Sequence, residues 1–458
     1  MRRLRLLWVV PHLPRLGVAA NRERWWNLLA RLAPRHDVTL LAIVDPDDIG
    51  AEHELPRGIA EVHTVPRTAW EPHDPWGLLP RMVRWGGFTD PALRTAVAER
   101  LAAGRFDVVQ YEYAEMAALM PPVTGPTLIT VHQLGFAFAG PEWRAAGGGL
   151  RGGAIALFRH LRDLDFELRA VTRAHRVITM SPEDAARLQR FLPGLRVTAS
   201  PVGVDAHRYR PPSAPVAREC DLLFVGHFEH LANSDAAAFL VHEVVPRLGQ
   251  PVRVRLVGRG VTPAVAALAK PGTVEVVGAV PDVRPHLAAA GVVVAPVRFG
   301  TGMRGKVLEA LGMGRPLVTT PLGAEGLGAV PERDLLLADG APAFAAAVQR
   351  VLDNPDFAAR LGAGGRALVE SRFDWDAIAT AHEEIYEQVL QDPPPATESP
   401  APRPAGVAQV AAQLGRWPSL AVGSALVTSR GLRWYLHRRR PSATPATPSL
   451  LADPAASS

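Results

Sequence analysis

Residues 297–320, VRFGTGMRGKVLEALGMGRPLVTT, set a cation and a carboxylate, Lys306 and Glu309, three positions apart beside a run of glycines. On a helix that spacing puts both side chains on one face, from which they reach back over the preceding loop toward one ligand. A buried strand, a glycine-rich loop and a helix in this order aim backbone N–H groups and the positive end of the helix dipole at a single point, a design that holds phosphate. A cation for phosphate and a carboxylate for a sugar diol together suit a nucleotide-sugar. The plainer use of the same pair is an i, i+3 surface ion pair. The chain has two lysines, Lys270 and Lys306, against 48 arginines, so Lys306 is a departure from its own composition. A compact ammonium and a planar guanidinium are not equivalent at a crowded anion.

The loop fits two other patterns, and both lose in context. Gly300-x4-Gly305-Lys306 spells most of a P-loop, but Val307 stands where Ser or Thr would hold magnesium. Gly300-x-Gly302-x-x-Gly305 spells the dinucleotide fingerprint. That site wants an acidic residue at the end of the next strand, and here 317–320 ends in two threonines, with Glu325 beyond them. The triplet Asp-x-Asp, which could hold a metal ion, occurs at Asp45-Pro46-Asp47, Asp163-Leu164-Asp165 and Asp374-Trp375-Asp376. Asp-Pro-Asp-Asp is first of all a turn sequence, and no metal site is expected.

The elements that must position these residues recur along the chain. Apolar runs at 4–10, 37–44, 107–111, 127–131 and 176–180 read as strands of a first set, and 221–225, 252–257, 274–277, 291–297 and 317–319 as a second. Continuous apolar strands alternating with helices imply parallel sheets covered on both faces. The expected architecture is α/β, with two doubly wound Rossmann-like domains facing a central cleft at the carboxyl ends of their strands. Expected bounds are 1–205 for a first domain and 206–391 for a second, closed by an amphipathic helix at 376–390. A Pro/Ala-rich linker and basic tail fill 392–458. A chain of 458 residues with 48% hydrophobic and 21% charged residues has the composition of a folded soluble protein. The single cysteine, Cys220, excludes an internal disulfide and suits a reducing cytoplasm. No stretch reaches the length of a spanning helix. Trp70, Trp76 and Trp85 with Arg81 and Arg84, and the run 420–427 followed by Arg430, Arg433, Trp434 and Arg438 to Arg440, have the composition of a peripheral contact with an anionic membrane.

The chain resembles family 4 glycosyltransferases of the GT-B fold, in particular those whose donor loop reads Pro-Leu-Arg-x-Gly-x-Gly-x-x-x-Lys-Val-Leu-Glu-Ala. The matching residues are Pro296, Arg298, Gly300, Gly302, Lys306, Val307, Leu308, Glu309 and Ala310. Val225-Gly226, Asn233-x-Asp235, Val244-Val245-Pro246, Val257-Gly258, Val277-Gly278 with Val280, Gly314-x-Pro316-Leu317-Val318 and Gly323-x-Glu325-Gly326 follow in the family's order. In the first half, Val177-Ile178-x-x-Ser181 and Pro201-x-Gly203-Val204-Asp205 look like it too. The resemblance covers roughly 4–390. The family's usual first glutamate is replaced by Thr301. The usual Arg and Lys after the first strand of the second domain are replaced by a stretch with His227 and Glu229. The paired glycines of the first domain fall around Gly17 to Asn21 as Gly-Val-Ala-Ala-Asn.

What the resemblance implies is a retaining, metal-independent transfer of a hexose from a nucleotide-sugar to a saccharide or lipid-linked acceptor, in cell-surface polysaccharide or glycolipid synthesis. His132, Lys306 and Arg304 would be catalytic. Glu309, Arg298, Gly300, Thr301, Gly302, Gly226 and His227 would hold the donor, and Gly17 and Arg22 would face the acceptor. No cofactor beyond the donor substrate and no nucleic-acid partner is expected, and the place of work would be the cytoplasm, peripheral at the inner membrane face. Two alternatives stay open: a nucleotide-sugar epimerase on the same fold, with Glu112 and Glu115 as its acid/base carboxylates, and a catalytically weak glycan-binding relative.

Overall fold

The structure, a computed structural model, describes residues 2–67, 90–121, 125–135, 161, 163–300 and 303–393. The first sheet is seven-stranded and parallel, built from β1 Arg5–Val10, β2 Asp37–Val44, β3 Glu61–Pro66, β4 Val108–Glu112, β5 Thr127–Val131, β6 Arg176–Thr179 and β7 Val197–Ala199 in the order 3-2-1-4-5-6-7. The second is six-stranded and parallel, from β8 Cys220–Val225, β9 Val254–Val257, β10 Val274–Gly278, β11 Ala290–Ala295, β12 Leu317–Thr319 and β13 Leu336–Leu337, ordered 10-9-8-11-12-13. Central strands such as β1 and β2 are apolar after a charged first residue, Thr39 apart, because both faces are covered, and each is buried after that first residue. In each sheet the order reverses at the first strand, between β1 and β4 and between β8 and β11. Crevices open at such reversals, outside the carboxyl ends of the strands.

Three strands, β3, β7 and β13, are additions to the sequence reading. β3 is an edge strand with one buried residue, so it offers no apolar run, and β7 and β13 are too short to stand out. The helices that matter to the cleft are α1 Ala20–Leu32, α2 Pro182–Phe191, α3 Leu231–Phe239, α4 Gly305–Gly312 and α5 Trp375–Gln391. α2 starts at Ser181, whose hydroxyl accepts from Asp184 N at 3.1 Å, with Pro182 in the first turn.

The last helix corrects one expectation. α5 does not close the second domain. It returns to the first, where Trp375, Ile378, Ala379, Ile385, Tyr386 and Val389 share a core with Leu6, Trp8, Trp25 and Leu28. Asp374 caps its start, accepting from Asp376 N at 3.1 Å, and its other oxygen accepts from Ala206 N at 3.0 Å. Both crossings between the domains are thereby tied at one point. Polar contacts lock the helix further: Tyr386 receives a hydrogen bond from Trp8 Nε1 at 2.9 Å and gives one to Gln110 Oε1 at 2.9 Å.

Among the described residues no helix is long and apolar enough to cross a membrane. The tryptophans at 70, 76 and 85 and the basic tail lie outside the described residues. Cys220 is buried at the start of β8, and burial pushes its thiol up to about 11, so it stays protonated. Because α5 completes the first domain's core, Ile385→Ala should destabilise that domain by about 2–5 kcal/mol. Denaturant unfolding followed by tryptophan fluorescence would show it, since Trp8 and Trp25 lie in the same core; an unchanged midpoint would detach α5 from that role.

Candidate functional site

α4 follows β11 after the loop 296–304 and turns two polar side chains off the core for a simple reason. Val307, Leu308, Ala310 and Leu311 are taken by the core, which leaves Lys306 and Glu309 on the remaining face. The two do not pair with each other. Lys306 Nζ donates to Asn233 Oδ1 of α3 and sits 4.6 Å over the Phe224 ring. Glu309 Oε1 accepts from Tyr209 OH at 3.2 Å. Burial, with the neighbouring Arg304 charge, lowers the Lys306 ammonium to about 7. Burial also raises the Glu309 carboxyl, opposed by the Tyr209 hydrogen bond and reinforced by Glu23, a residue of the first domain. That last effect places the two halves of the cleft within electrostatic reach.

Glycines clear the floor beneath. Gly226, Gly258 and Gly278 end or follow three adjacent strands, with Gly226 N bonded to Val257 O at 2.9 Å and Gly258 N to Gly278 O at 2.8 Å. At Gly258, with φ of +143°, a Cβ would lie 1.8 Å from Gly226 O, so no side chain fits. His227, beside this shelf, is engaged by Glu229 Oε2 at 2.9 Å, and its carbonyl accepts from Asn233 Nδ2 at 2.8 Å. Gly300 has φ of +106° and packs against the Arg304 guanidinium, 3.3 Å from where a Cβ would be. Burial lowers the Arg304 pKa, with Glu325 and Asp184 opposing. Thr301 and Gly302 lie outside the described residues.

Arg298, expected to hold the donor, is engaged within its own chain. It is clamped by both oxygens of Asp235, at 2.8 and 2.5 Å, and lies 4.7 Å over the Phe239 ring, so its fork is committed to α3. The acceptor-side residues fare similarly. Arg22 is buried, donating to Leu13 O and to Asp48 Oδ2, each at 2.7 Å. Gly17, with φ of +75°, gives its N–H to Glu23 Oε1 at 2.7 Å. The first domain's glycine loop thus already holds a carboxylate of its own chain.

His132 follows β5, and the register brings it to β4. Glu112 pairs with Thr130, and His132 stands two positions on, on the same side of the sheet. His132 Nε2 lies 2.7 Å from Glu112 Oε2, which also accepts from Trp25 Nε1 at 2.8 Å. The other oxygen, Oε1, accepts from Gln110 Nε2 at 2.5 Å and Thr130 Oγ1 at 3.0 Å. Tyr113 stacks on the imidazole with centroids 4.4 Å apart. The sequence reading named Glu112 only as an epimerase acid and missed Trp25, Tyr113, Tyr209 and Asn233 as partners. Asn233 was visible as part of a motif, but its partner was not.

The Asp-x-Asp triplets have structural employment. Asp45 is held well below the usual carboxylate range by His12 and Arg67 against the effect of burial, Asp165 binds Arg169 at 2.9 Å, and Asp374 caps α5. Across the cleft, Arg187 of α2 donates to Glu325, and Arg259 Nη2 donates to Val18 O at 2.9 Å. The arrangement has two neighbouring cations, Lys306 and Arg304, at a helix N-terminus over a glycine floor, which is suited to a diphosphate. The sign of its pH dependence follows from the Lys306 pKa of about 7 in the free protein. A bound dianion favours the ammonium, so binding takes up a proton above pH 7 and weakens by up to about tenfold per pH unit. Calorimetry of a nucleoside diphosphate in buffers of different ionisation enthalpy measures that uptake, which Lys306→Met should abolish.

Residues 219–354 match the family model described as "Glycosyl transferases group 1". Among curated proteins, a D-inositol 3-phosphate glycosyltransferase of Streptomyces scabiei is 30% identical over 258 residues, 49% of this chain and 56% of that protein, so the chain spans about half the length of this relative. Among solved structures, sucrose-phosphate synthase from Thermosynechococcus elongatus superposes with a TM-score of 0.64 at 20% identity, covering 85% of this chain and all of that one. Anabaena HepE, solved in complex with UDP and glucose, superposes at 0.59 with 14% identity over 84% of this chain and all of that one. The molecule therefore has the two-domain GT-B fold, and its second domain carries, over residues 219–354, the sequence pattern of the group 1 glycosyltransferases.

Proposed function

We propose that this chain is a glycosyltransferase that moves a hexose from a nucleotide-sugar to a saccharide or lipid-linked acceptor, in cell-surface polysaccharide or glycolipid synthesis. The observation that carries it is the pair on α4, with Lys306 and Glu309 turned off the core, separately held by Asn233 and Tyr209, beside a glycine floor. Glu309 would take the ribose hydroxyls. Lys306, Arg304 and the α4 N-terminus would neutralise the diphosphate as the glycosidic bond breaks and negative charge builds on the leaving oxygens. These fixed positive groups make a metal-independent reaction the economical reading. Gly226 and His227 would face the nucleotide, with Gly300, Thr301 and Gly302 in the donor loop, and His132 would face the sugar. Attack by the acceptor hydroxyl on the face the phosphate leaves, with that phosphate taking the proton, would retain configuration and need no protein nucleophile. The named relative and the sugar-bound Anabaena structure support a nucleotide-sugar as substrate.

The epimerase alternative has less support. Glu112 is enclosed by its donors and Glu115 is buried, which argues against either as a group that exchanges protons with a sugar. Arg298 and Arg22 are left out of the proposed site because their partners are structural. Work at the inner face of a membrane from the cytoplasm remains part of the proposal on composition alone.

Three measurements follow. Glu309→Ala should weaken donor binding by about 1.5–3 kcal/mol with the fold intact; unchanged affinity by calorimetry would remove Glu309 from the site. Turnover on a panel of nucleotide-sugars should persist in excess chelator, and loss reversed by manganese would reject the metal-free reading. Salt-sensitive co-sedimentation with anionic liposomes should fall when 405–458 are deleted, whereas an intact chain that stays in the supernatant at low salt would contradict membrane contact.

A further inference from the structure

Glu112 is an acidic residue sealed behind the cleft, and its surroundings say what it does there. Its side chain has no exposure, and four groups point hydrogens at it: Gln110, Thr130, Trp25 and His132. Burial opposes its ionisation, but His132, Arg24 and Gln110 hold the carboxyl down at about 2. Arg24, itself fully buried, sets Nη1 3.9 Å from Glu112 Oε2. A carboxylate only accepts hydrogen bonds, so the ring nitrogen facing it at 2.7 Å must carry a proton. Trp25 Nε1 is 3.4 Å from the same ring nitrogen but 2.8 Å from Glu112 Oε2, so its hydrogen goes to the carboxylate.

The other face of the ring is fixed as well. Tyr113 stacks on the imidazole at 4.4 Å and 30°, and Trp25 meets it edge-on at 5.7 Å. Tyr113 is held in place at a cost, because its φ of +91° is a conformation a bulky residue rarely adopts. Asn21 Nδ2 donates to its hydroxyl at 2.8 Å. Strain of this kind persists only where surrounding contacts impose it, and here it puts a phenol ring flat against His132. Burial disfavours the imidazolium, and the Arg24 charge adds to that, with Glu112 opposing. Nδ1, on the side away from Glu112, makes no hydrogen bond to a described residue, and the side chain as a whole keeps 8% exposure.

We propose that Glu112 and Tyr113 are positioning residues that lock His132 as the neutral imidazole protonated on Nε2, so that Nδ1 meets the cleft purely as a hydrogen-bond acceptor. A ring so fixed takes the hydrogen of a sugar hydroxyl and offers nothing to a phosphate or carboxylate. It therefore assigns this end of the cleft to the hydroxylated part of a substrate and leaves the anionic part to Lys306. The hydroxyl assignment rests on the glycosyltransferase reading; the tautomer does not.

The test separates the two. Nitrogen-15 spectra of the full chain labelled in histidine, with His132 assigned through His132→Gln, report its tautomer with no substrate present. The wild type should show His132 neutral at pH 7 with its proton on Nε2. Glu112→Met, close in length but without acceptor oxygens, should release the lock and populate the Nδ1–H tautomer, while Glu112→Gln, whose carbonyl can still accept, should keep more of the original form. In turnover, kcat should fall roughly 10- to 100-fold in Glu112→Met, the scale of a misplaced contact group, less in Glu112→Gln, with nucleoside diphosphate affinity within about twofold of wild type. A wild-type ring that is charged or protonated on Nδ1 overturns the proposal, as does an unchanged tautomer in folded Glu112→Met. If Glu112→Met does not fold, the wild-type spectrum decides. If no nucleotide-sugar is turned over while the spectra behave as expected, the lock stands and the transferase reading fails.

Discussion

The cleft depends on one packing event, the return of α5 to the first domain. Two parallel sheets present their strand ends to a common space only if something fixes them face to face, and here the chain crosses between domains twice at adjoining points. Asp374 joins those crossings by capping α5 and holding Ala206 N. The helix then fills the first domain's core and supplies Tyr386 and His382, which meet Gln110 Oε1 at 2.9 and 3.1 Å. Gln110 leads to Glu112, and Glu112 to His132. The element that joins the domains is thus hydrogen-bonded, through two residues of β4, to the histidine at the cleft.

Such a buried network stabilises where its members are satisfied, because an unpaired polar group in the interior costs more than the bond it forgoes; the residues of β4 are paired, whereas the buried Arg24 beside them bonds through Nη2 alone. β4 shows how the sequence meets that demand. Its alternation puts Val109 and Tyr111 on one side and Gln110 and Glu112 on the other, where α1 and α5 bring Trp25, His382 and Tyr386. His382 is lowered to about 3 by burial beside Arg24 and so serves as a neutral link.

The parallel strands were legible because burial on both faces demands unbroken Val, Ile and Leu runs, and the cleft followed from their repetition. The edge strand β3 was not, since one buried position gives no pattern. Amphipathy announced α5 but could not say which core its apolar face would enter. The same limit governs charges. Lys306 and Glu309 were found from their spacing, a local property. Arg298 and Arg22 were assigned to ligands because nothing in the sequence marks Asp235 or Asp48 as their partners. An arginine's role is decided by what tertiary structure places beside its fork.

The central claim is that α4 binds the diphosphate and ribose of a sugar nucleotide, and a crystal structure of the full chain with a nucleoside diphosphate tests it most directly. The account predicts the diphosphate within hydrogen-bond distance of Lys306 Nζ at the α4 N-terminus and the ribose hydroxyls on Glu309. A nucleotide bound elsewhere, with Lys306 still on Asn233 and Glu309 still on Tyr209, would contradict it.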